Sequence, residues 1–130
     1  MNALVHFEIQ AAEPERAAKF YTEVFGWKID KYPGLEFDYW GIVTKDEEGN
    51  GINGGLLKRP SDVPSQQCGA NAFVCTVQVE DYEAMAKKIE AAGGMVAMPK
   101  FALKGMAWQG YFLDTEGNTI GLHQTDVNAA

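Results

Sequence analysis

Two residues near the N-terminus have the types and the spacing to do chemistry. His6 and Glu8 are one residue apart and Gln10 follows at the same interval, while Val5, Phe7 and Ile9 fill the alternate positions. A strand sends successive side chains to opposite faces, so this pattern predicts one apolar face and one polar face carrying His6, Glu8 and Gln10 together. An imidazole beside a carboxylate can move a proton to and from a substrate as a general acid–base pair. The same two groups can supply ligands to a metal ion. They can also be plain hydrogen-bonded polar groups that support the floor of a pocket.

The elements that must position this strand follow it directly. Glu13 sits at a helix N-cap, with Pro14 at the first helical position, where its missing N–H costs nothing. Ala17, Phe20, Tyr21 and Val24 recur at i, i+3, i+4 and i+7, the stripe of a helix that faces a core, and Gly26 ends it. Three strands are expected next, near 27–31, 37–44 and 51–58, with turns at Pro33-Gly34 and Glu47-Glu48-Gly49-Asn50.

The whole arrangement recurs 68 residues later without a gap: Gln10 meets Gln78, Glu13 meets Asp81, Gly26 meets Gly94, Trp40 meets Trp108, and Asp46, Glu48, Gly49 and Asn50 meet Asp114, Glu116, Gly117 and Asn118. An offset that holds through half a chain marks two copies of one unit. The expected organisation is a single domain over 1–130, built from modules 3–58 and 71–126 and joined by a Pro- and Ser-containing linker at 59–70, where the highest mobility is expected. The second module should run as strand 71–79, helix 81–92 and strands 95–101, 108–113 and 118–124, with a loose tail at 125–130.

A length of 130 residues suits one domain with a real core. The net charge of −7 would be repelled by a phosphate backbone, so no nucleic-acid partner is expected. No apolar run approaches the length of a membrane span and no leader-like N-terminus is present, which predicts a soluble, cytoplasmic protein. Cys68 and Cys75 lack metal-type spacing. Cys75 reads as a small core residue and Cys68 as a free thiol in a loop.

The stretches HFEI…ERAAKFYTEVFGW, GINGGL, EAAGG and YFLDTEGNTIGL resemble the vicinal oxygen chelate superfamily, which contains glyoxalase I, bleomycin-resistance proteins and extradiol dioxygenases. The likeness covers nearly the whole chain and points to its small, glyoxalase-related members. It implies an α+β fold of two tandem βαβββ modules, a curled mixed sheet around a cleft, and by analogy a homodimer. Metal-using members bind a divalent ion through one residue from each of four strands. Carried over by motif, those positions are His6, then Asn53 (or Gly55 if the strand slips by two), then Val74 and Gly121. Only His6 is a strong ligand, so the resemblance predicts no metal and no cofactor here.

The cleft that the resemblance implies should be lined by the polar faces of the strands. His6 and Glu8 are the candidate catalytic residues, and Gln10, Asn53, Thr76, Gln78, Trp108 and His123 are candidate ligand-binding residues. Met106 and Trp108, after Gly105, are candidates for a mobile pocket rim. Aromatic residues on the cleft strands suit a small apolar or aromatic organic ligand. The expected function is small-molecule binding of the bleomycin-resistance type. The alternative is a lyase, isomerase or dioxygenase with a remodelled site, including a shifted metal site formed by His6, Glu8 and His123.

Overall fold

A computed structural model of the chain describes residues 4–63, 65 and 73–130. The N-terminal elements are β1 (Phe7–Ala11), α1 (Pro14–Phe25), β2 (Lys28–Lys31), β3 (Tyr39–Val43) and β4 (Gly54–Lys58). The C-terminal elements are β5 (Cys75–Gln78), α2 (Tyr82–Ala91), β6 (Met95–Leu103), β7 (Ala107–Leu113) and β8 (Thr119–Thr125). The chain divides into two units, Met1–Val63 and Pro64–Ala130. Each holds a four-stranded mixed sheet, ordered β1-β4-β3-β2 in unit 1 and β5-β8-β7-β6 in unit 2, so the two modules share one α+β topology. Cys68 and half of the expected linker lie outside the described residues.

Helix α1 forms as its spacing requires. Pro14 opens it after Glu13, and Gly26 closes it in the left-handed region (φ 72°) with its N–H donated to the Thr22 carbonyl at 3.0 Å. Ala17, Phe20, Tyr21 and Val24 are buried, and each larger side chain gains roughly 1.5–3 kcal/mol by leaving water. Tyr21 stacks on Trp27 with ring centroids 5.2 Å apart. Helix α2 is better capped and less well covered. The Asp81 carboxylate accepts from the Ala84 N–H at 3.0 Å, a cap worth about 1 kcal/mol, and only Tyr82 and Ile89 are buried.

One face of each sheet lies under its helix. In unit 1, Ala11, Ile42 and Leu56 pack with Ala17, joined by Phe7, Ile9, Ile29 and Trp40. In unit 2, Tyr82 lies against Phe112, and its hydroxyl occupies the space over Gly110. Alternation along the strands leaves His6, Glu8, Tyr39, Gly41 and Gly55 on the opposite, open face of unit 1. It leaves Thr76, Gln78, Gln109, Tyr111, Gly121 and His123 on that of unit 2.

The constant spacing of 68 breaks at two places. The β3–β4 and β7–β8 hairpins keep it, since Gly41 pairs with Gly55 and Gln109 pairs with His123, but β2–β3 and β6–β7 do not, since Lys28 pairs with Val43 whereas Val96 pairs with Phe112. The parallel pair does not either: Phe7 faces Gly54 and Glu8 faces Gly55, but Cys75 faces Ile120 and Thr76 faces Gly121, two residues earlier than an exact repeat would place them. A shift of two residues keeps every side chain on its face and changes only its neighbours.

Four expectations are corrected. Cys75 is exposed. Phe7, its repeat mate, is covered by Trp27 at 6.2 Å, but the residue at the matching place in unit 2 is Met95, itself exposed. The C-terminal residues are fastened rather than loose: Asp126 donates its N–H to the Met106 carbonyl (2.8 Å), Gly105 donates to the Ala129 carbonyl (2.8 Å), and Ala129 is buried. The same bonds hold the Gly105–Met106 turn that glycine was expected to free. Strand β6 also runs past Pro99 to Leu103, with irregular register between Val96 and Met98 and between Met98 and Phe101. These irregularities let an edge strand absorb a proline.

Candidate functional site

On the open face of unit 1, three side chains form a hydrogen-bonded chain. The Tyr39 hydroxyl donates to Glu8 Oε2 at 2.8 Å, and His6 Nε2 lies 2.9 Å from the same hydroxyl oxygen. A phenol has one proton, and it goes to Glu8, so His6 Nε2–H is the donor to Tyr39. Direct approach of His6 to Glu8 is longer, at 3.8 Å. Both side chains are about half exposed (50% and 43%), so their mutual attraction is weakened by water.

Glycines make this arrangement possible. A Cβ on Gly55 would overlap the Tyr39 hydroxyl, and one on Gly41 would stand 2.9 Å from the Tyr32 hydroxyl. The two tyrosine rings therefore lie flat over the sheet, parallel to within 3° with centroids 5.9 Å apart, and Phe37 meets Tyr39 edge-on at 6.0 Å. The Tyr39 phenol is pushed up to about 12 by its burial, by the hydrogen bond to Glu8, by the charge of Glu8 and by Tyr32. Tyr39 and Tyr32 are the residues sequence reasoning left out of the site. The available signal was the cross-strand pair of glycines at 41 and 55 on the polar face, since a strand glycine often marks a close approach.

Unit 2 builds a different face on the same frame. His123 Nδ1 lies 2.8 Å from Gln109 Oε1. A carboxamide oxygen only accepts, so Nδ1 carries the proton. Gln109 is buried (5% exposed), and its Nε2 lies 3.1 Å from the point where a Cβ on Gly121 would stand. Thr76 Oγ1 (2.5 Å) and Tyr111 Cε1 (3.1 Å) crowd the same point. Phe101 stacks beside Tyr111 with centroids 6.4 Å apart.

The remaining expected site residues fall as follows. Gln10 shares the strand face of His6 and Glu8, half-buried, and its backbone carbonyl accepts from Arg59 Nη2 at 3.3 Å. Asn53 precedes β4, and its side-chain oxygen accepts from the backbone N–H groups of Thr44 and Lys45, both at 3.1 Å, which braces the neck of the β3–β4 hairpin. Gln78 is exposed on β5 beside His123. Trp108 stands apart from Gln109 and His123: it lies on the helix side of the sheet, its Nε1–H donates to Asp126 Oδ2 at 3.0 Å, and the Lys100 ammonium sits 4.5 Å from its ring centroid. His6 and Glu8 belong to unit 1 and His123 to unit 2.

The four-strand metal positions can be tested on these residues. The residue beside Glu8, as Gly121 is beside Thr76, is Gly55, so the slip by two makes Gly55 rather than Asn53 its counterpart. His6, Gly55, Val74 and Gly121 offer one ligating side chain, and its Nε2 proton is donated to Tyr39. This set does not fit a divalent ion, which takes about three protein ligands at a catalytic site. Among the described residues, no group of three or more His, Cys, Asp or Glu side chains is placed to share one. No helix among them is long and apolar enough to cross a membrane.

The sequence matches the model of the Glyoxalase/Bleomycin resistance protein/Dioxygenase superfamily over residues 3–122. A glyoxylase-like domain-containing protein of Didymella fabae is 30% identical over 122 residues, covering 86% of this chain and 85% of that protein. A Mycobacterium bovis protein with the provisional name glyoxylase CFP32 is 25% identical over 120 residues; the match takes in 92% of this chain and only 44% of that longer protein. Among solved structures, TnmS3, an antibiotic-binding protein from Streptomyces sp. CB03234, superposes with a TM-score of 0.69 at 22% identity, covering 97% of this chain and 98% of that one.

Proposed function

This chain belongs to the Glyoxalase/Bleomycin resistance protein/Dioxygenase superfamily, and within it we propose a small-molecule binder that works without the metal its enzyme relatives use. The observation that carries this reading is the Tyr39 hydroxyl, hydrogen-bonded between His6 and Glu8 over Gly55. The one strong ligand among the four metal positions is committed to a phenol, and the other three positions have no ligating side chain. The ligand is a small apolar or aromatic organic compound. Flat rings on both open faces, Tyr32 with Tyr39 and Phe101 with Tyr111, support that choice. The existence of an antibiotic-binding protein on the same fold is consistent with it. A homodimer and a cytoplasmic location belong to the same proposal.

The test is a thermal-shift screen of flat aromatic compounds, read with tryptophan emission, alongside elemental analysis after dialysis against zinc, nickel, manganese and iron. A melting temperature that rises with ligand concentration, with no stoichiometric metal, is the expected result. One ion per chain, lost in His6→Ala and Glu8→Ala, would overturn the metal-free reading.

A second reading has its own observation. The chain His6–Tyr39–Glu8 can relay a proton, which suits an isomerase or lyase with a remodelled site. A turnover lost in Glu8→Gln and in Tyr39→Phe, in protein free of metal, would select it.

A further inference from the structure

The open face of unit 2 has a feature that apolar binding alone does not use. Gln109 is a buried carboxamide whose oxygen is occupied by His123 Nδ1–H. Its Nε2 has no hydrogen-bond partner among the described residues and lies over Gly121, next to the Thr76 hydroxyl. That N–H is open to solvent, so a molecule that covers it must replace water with an acceptor or leave the donor unpaired. His123 fixes the polarity: with Nδ1–H on the oxygen, the amide must turn its donor toward Gly121. The side chains around that point, Thr76, Gln78, Gln109, Tyr111, Thr119 and His123, include no carboxylate, ammonium or guanidinium, and the Tyr111 and Phe101 rings border them.

We propose that this face is a subsite for an uncharged, flat organic molecule that presents a carbonyl oxygen, with Gln109 Nε2–H as donor to that oxygen and His123 as the residue that orients Gln109. The proposal rests on the small-molecule-binding reading and adds the chemical class of the ligand. An anion would lose its hydration here without meeting a cation, and a purely apolar ring would leave the Gln109 N–H unpaired.

The test uses a matched pair of probes, 9-fluorenone and fluorene, which share a flat tricyclic frame and differ by the carbonyl. Wild-type protein should bind fluorenone roughly three- to tenfold more tightly than fluorene, the effect of one net hydrogen bond. The bound ketone's infrared carbonyl stretch should fall below its value in an apolar solvent. Gln109→Met should bring the affinity ratio to about one and remove the infrared shift, and His123→Leu, which frees the amide to turn over, should reduce both. Equal affinities in the wild type would overturn the carbonyl subsite while leaving small-molecule binding intact. Binding of neither probe would overturn the subsite and count against the binding reading as well. A preference for fluorenone that survives unchanged in both variants would also overturn it, because the donor would then lie elsewhere.

Discussion

His6 and His123 each stand on the open face of a four-stranded sheet, and they are held by opposite nitrogens. His6 uses Nε2 to donate to a tyrosine that passes its own proton to a carboxylate. His123 uses Nδ1 to donate to a neutral amide, which leaves Nε2 outside that bond. The first arrangement closes a charged cluster on itself, and the second leaves a neutral amide donor facing outward. Duplication supplied one backbone plan, and the open faces diverged through a few residues: at the spacing of 68 that the β3–β4 and β7–β8 hairpins keep, Tyr39 falls where unit 2 has Ala107, Gly41 where it has Gln109, and Gly55 where it has His123. The teaching is that a repeat fixes which side chains share a face without fixing the chemistry of that face.

If the units are equal underneath and differ only above, their cores should respond alike. Leu56 and Leu122 are fully buried on the helix side of β4 and β8. Leu56→Ala and Leu122→Ala should each cost about 2–5 kcal/mol in denaturant unfolding, the range for a buried leucine. A cost under about 1 kcal/mol at either site would break the equivalence of the two cores.

The glycines should then respond unequally. Gly55→Ala drives a methyl group into the Tyr39 hydroxyl and ring, so the ring must leave the sheet and give up both hydrogen bonds. A loss of about 1–3 kcal/mol is expected. Gly121→Ala meets Thr76 Oγ1 at 2.5 Å, the end of a short side chain on an exposed residue that can rotate aside, and should cost under about 1 kcal/mol. Equal costs would show that Tyr39 is not fixed in place by its partners.

Much of this comparison could be read from the residues alone. The α1 stripe of Ala17, Phe20, Tyr21 and Val24 is buried as its period demands, and the alternation of His6, Glu8 and Gln10 against Phe7 and Ile9 gave the right faces, because periodicity follows from backbone geometry. What depends on pairing was not legible. The two-residue shift between β5 and β8 leaves periodicity untouched, so a constant offset of 68 could not reveal it. Tyr39 was visible as a strand aromatic, but its partnership with His6 and Glu8 depends on β4 lying between β1 and β3 with a glycine at 55. Trp108 and Asp126 meet only because the C-terminal residues fold back, and a short polar tail carries no periodic signal of doing so.

That C-terminal fastening sharpens the difference between the units at lower cost. Trp108→Phe keeps a ring for the Lys100 ammonium and removes the N–H that Asp126 accepts. The Gly105 and Ala129 amides should then exchange with solvent roughly three- to tenfold faster by hydrogen–deuterium exchange. The backbone N–H of Asn128 and the Trp108 N–H hold the Asp126 carboxyl below the usual carboxylate range. The stabilisation it gives is therefore present at neutral pH and lost as pH falls through that lowered value. Unchanged exchange in Trp108→Phe would mean that the backbone bonds alone secure the tail.

The smallest effect at neutral pH is the most specific to unit 1. Tyr39 is pushed up to about 12 first by burial and then by its hydrogen bond to Glu8 and the charge of Glu8. An unfolded tyrosine loses its proton near pH 10. Between about pH 10 and pH 12 the unfolded chain therefore binds fewer protons than the folded one, and folding stability falls as pH rises through that window. Below it Tyr39 is neutral in both states and contributes no pH dependence. Glu8→Gln removes the charge and leaves burial and Tyr32 in place, so the phenolate absorbance of Tyr39 should appear at lower pH in the variant, above the ordinary value but below that of the wild type. Tyr39→Phe should delete that late-titrating absorbance and identify it. A Tyr39 that titrates at the same pH in Glu8→Gln as in the wild type would assign the shift to burial alone, and the His6–Tyr39–Glu8 chain would then lose its standing as the feature that separates the two faces.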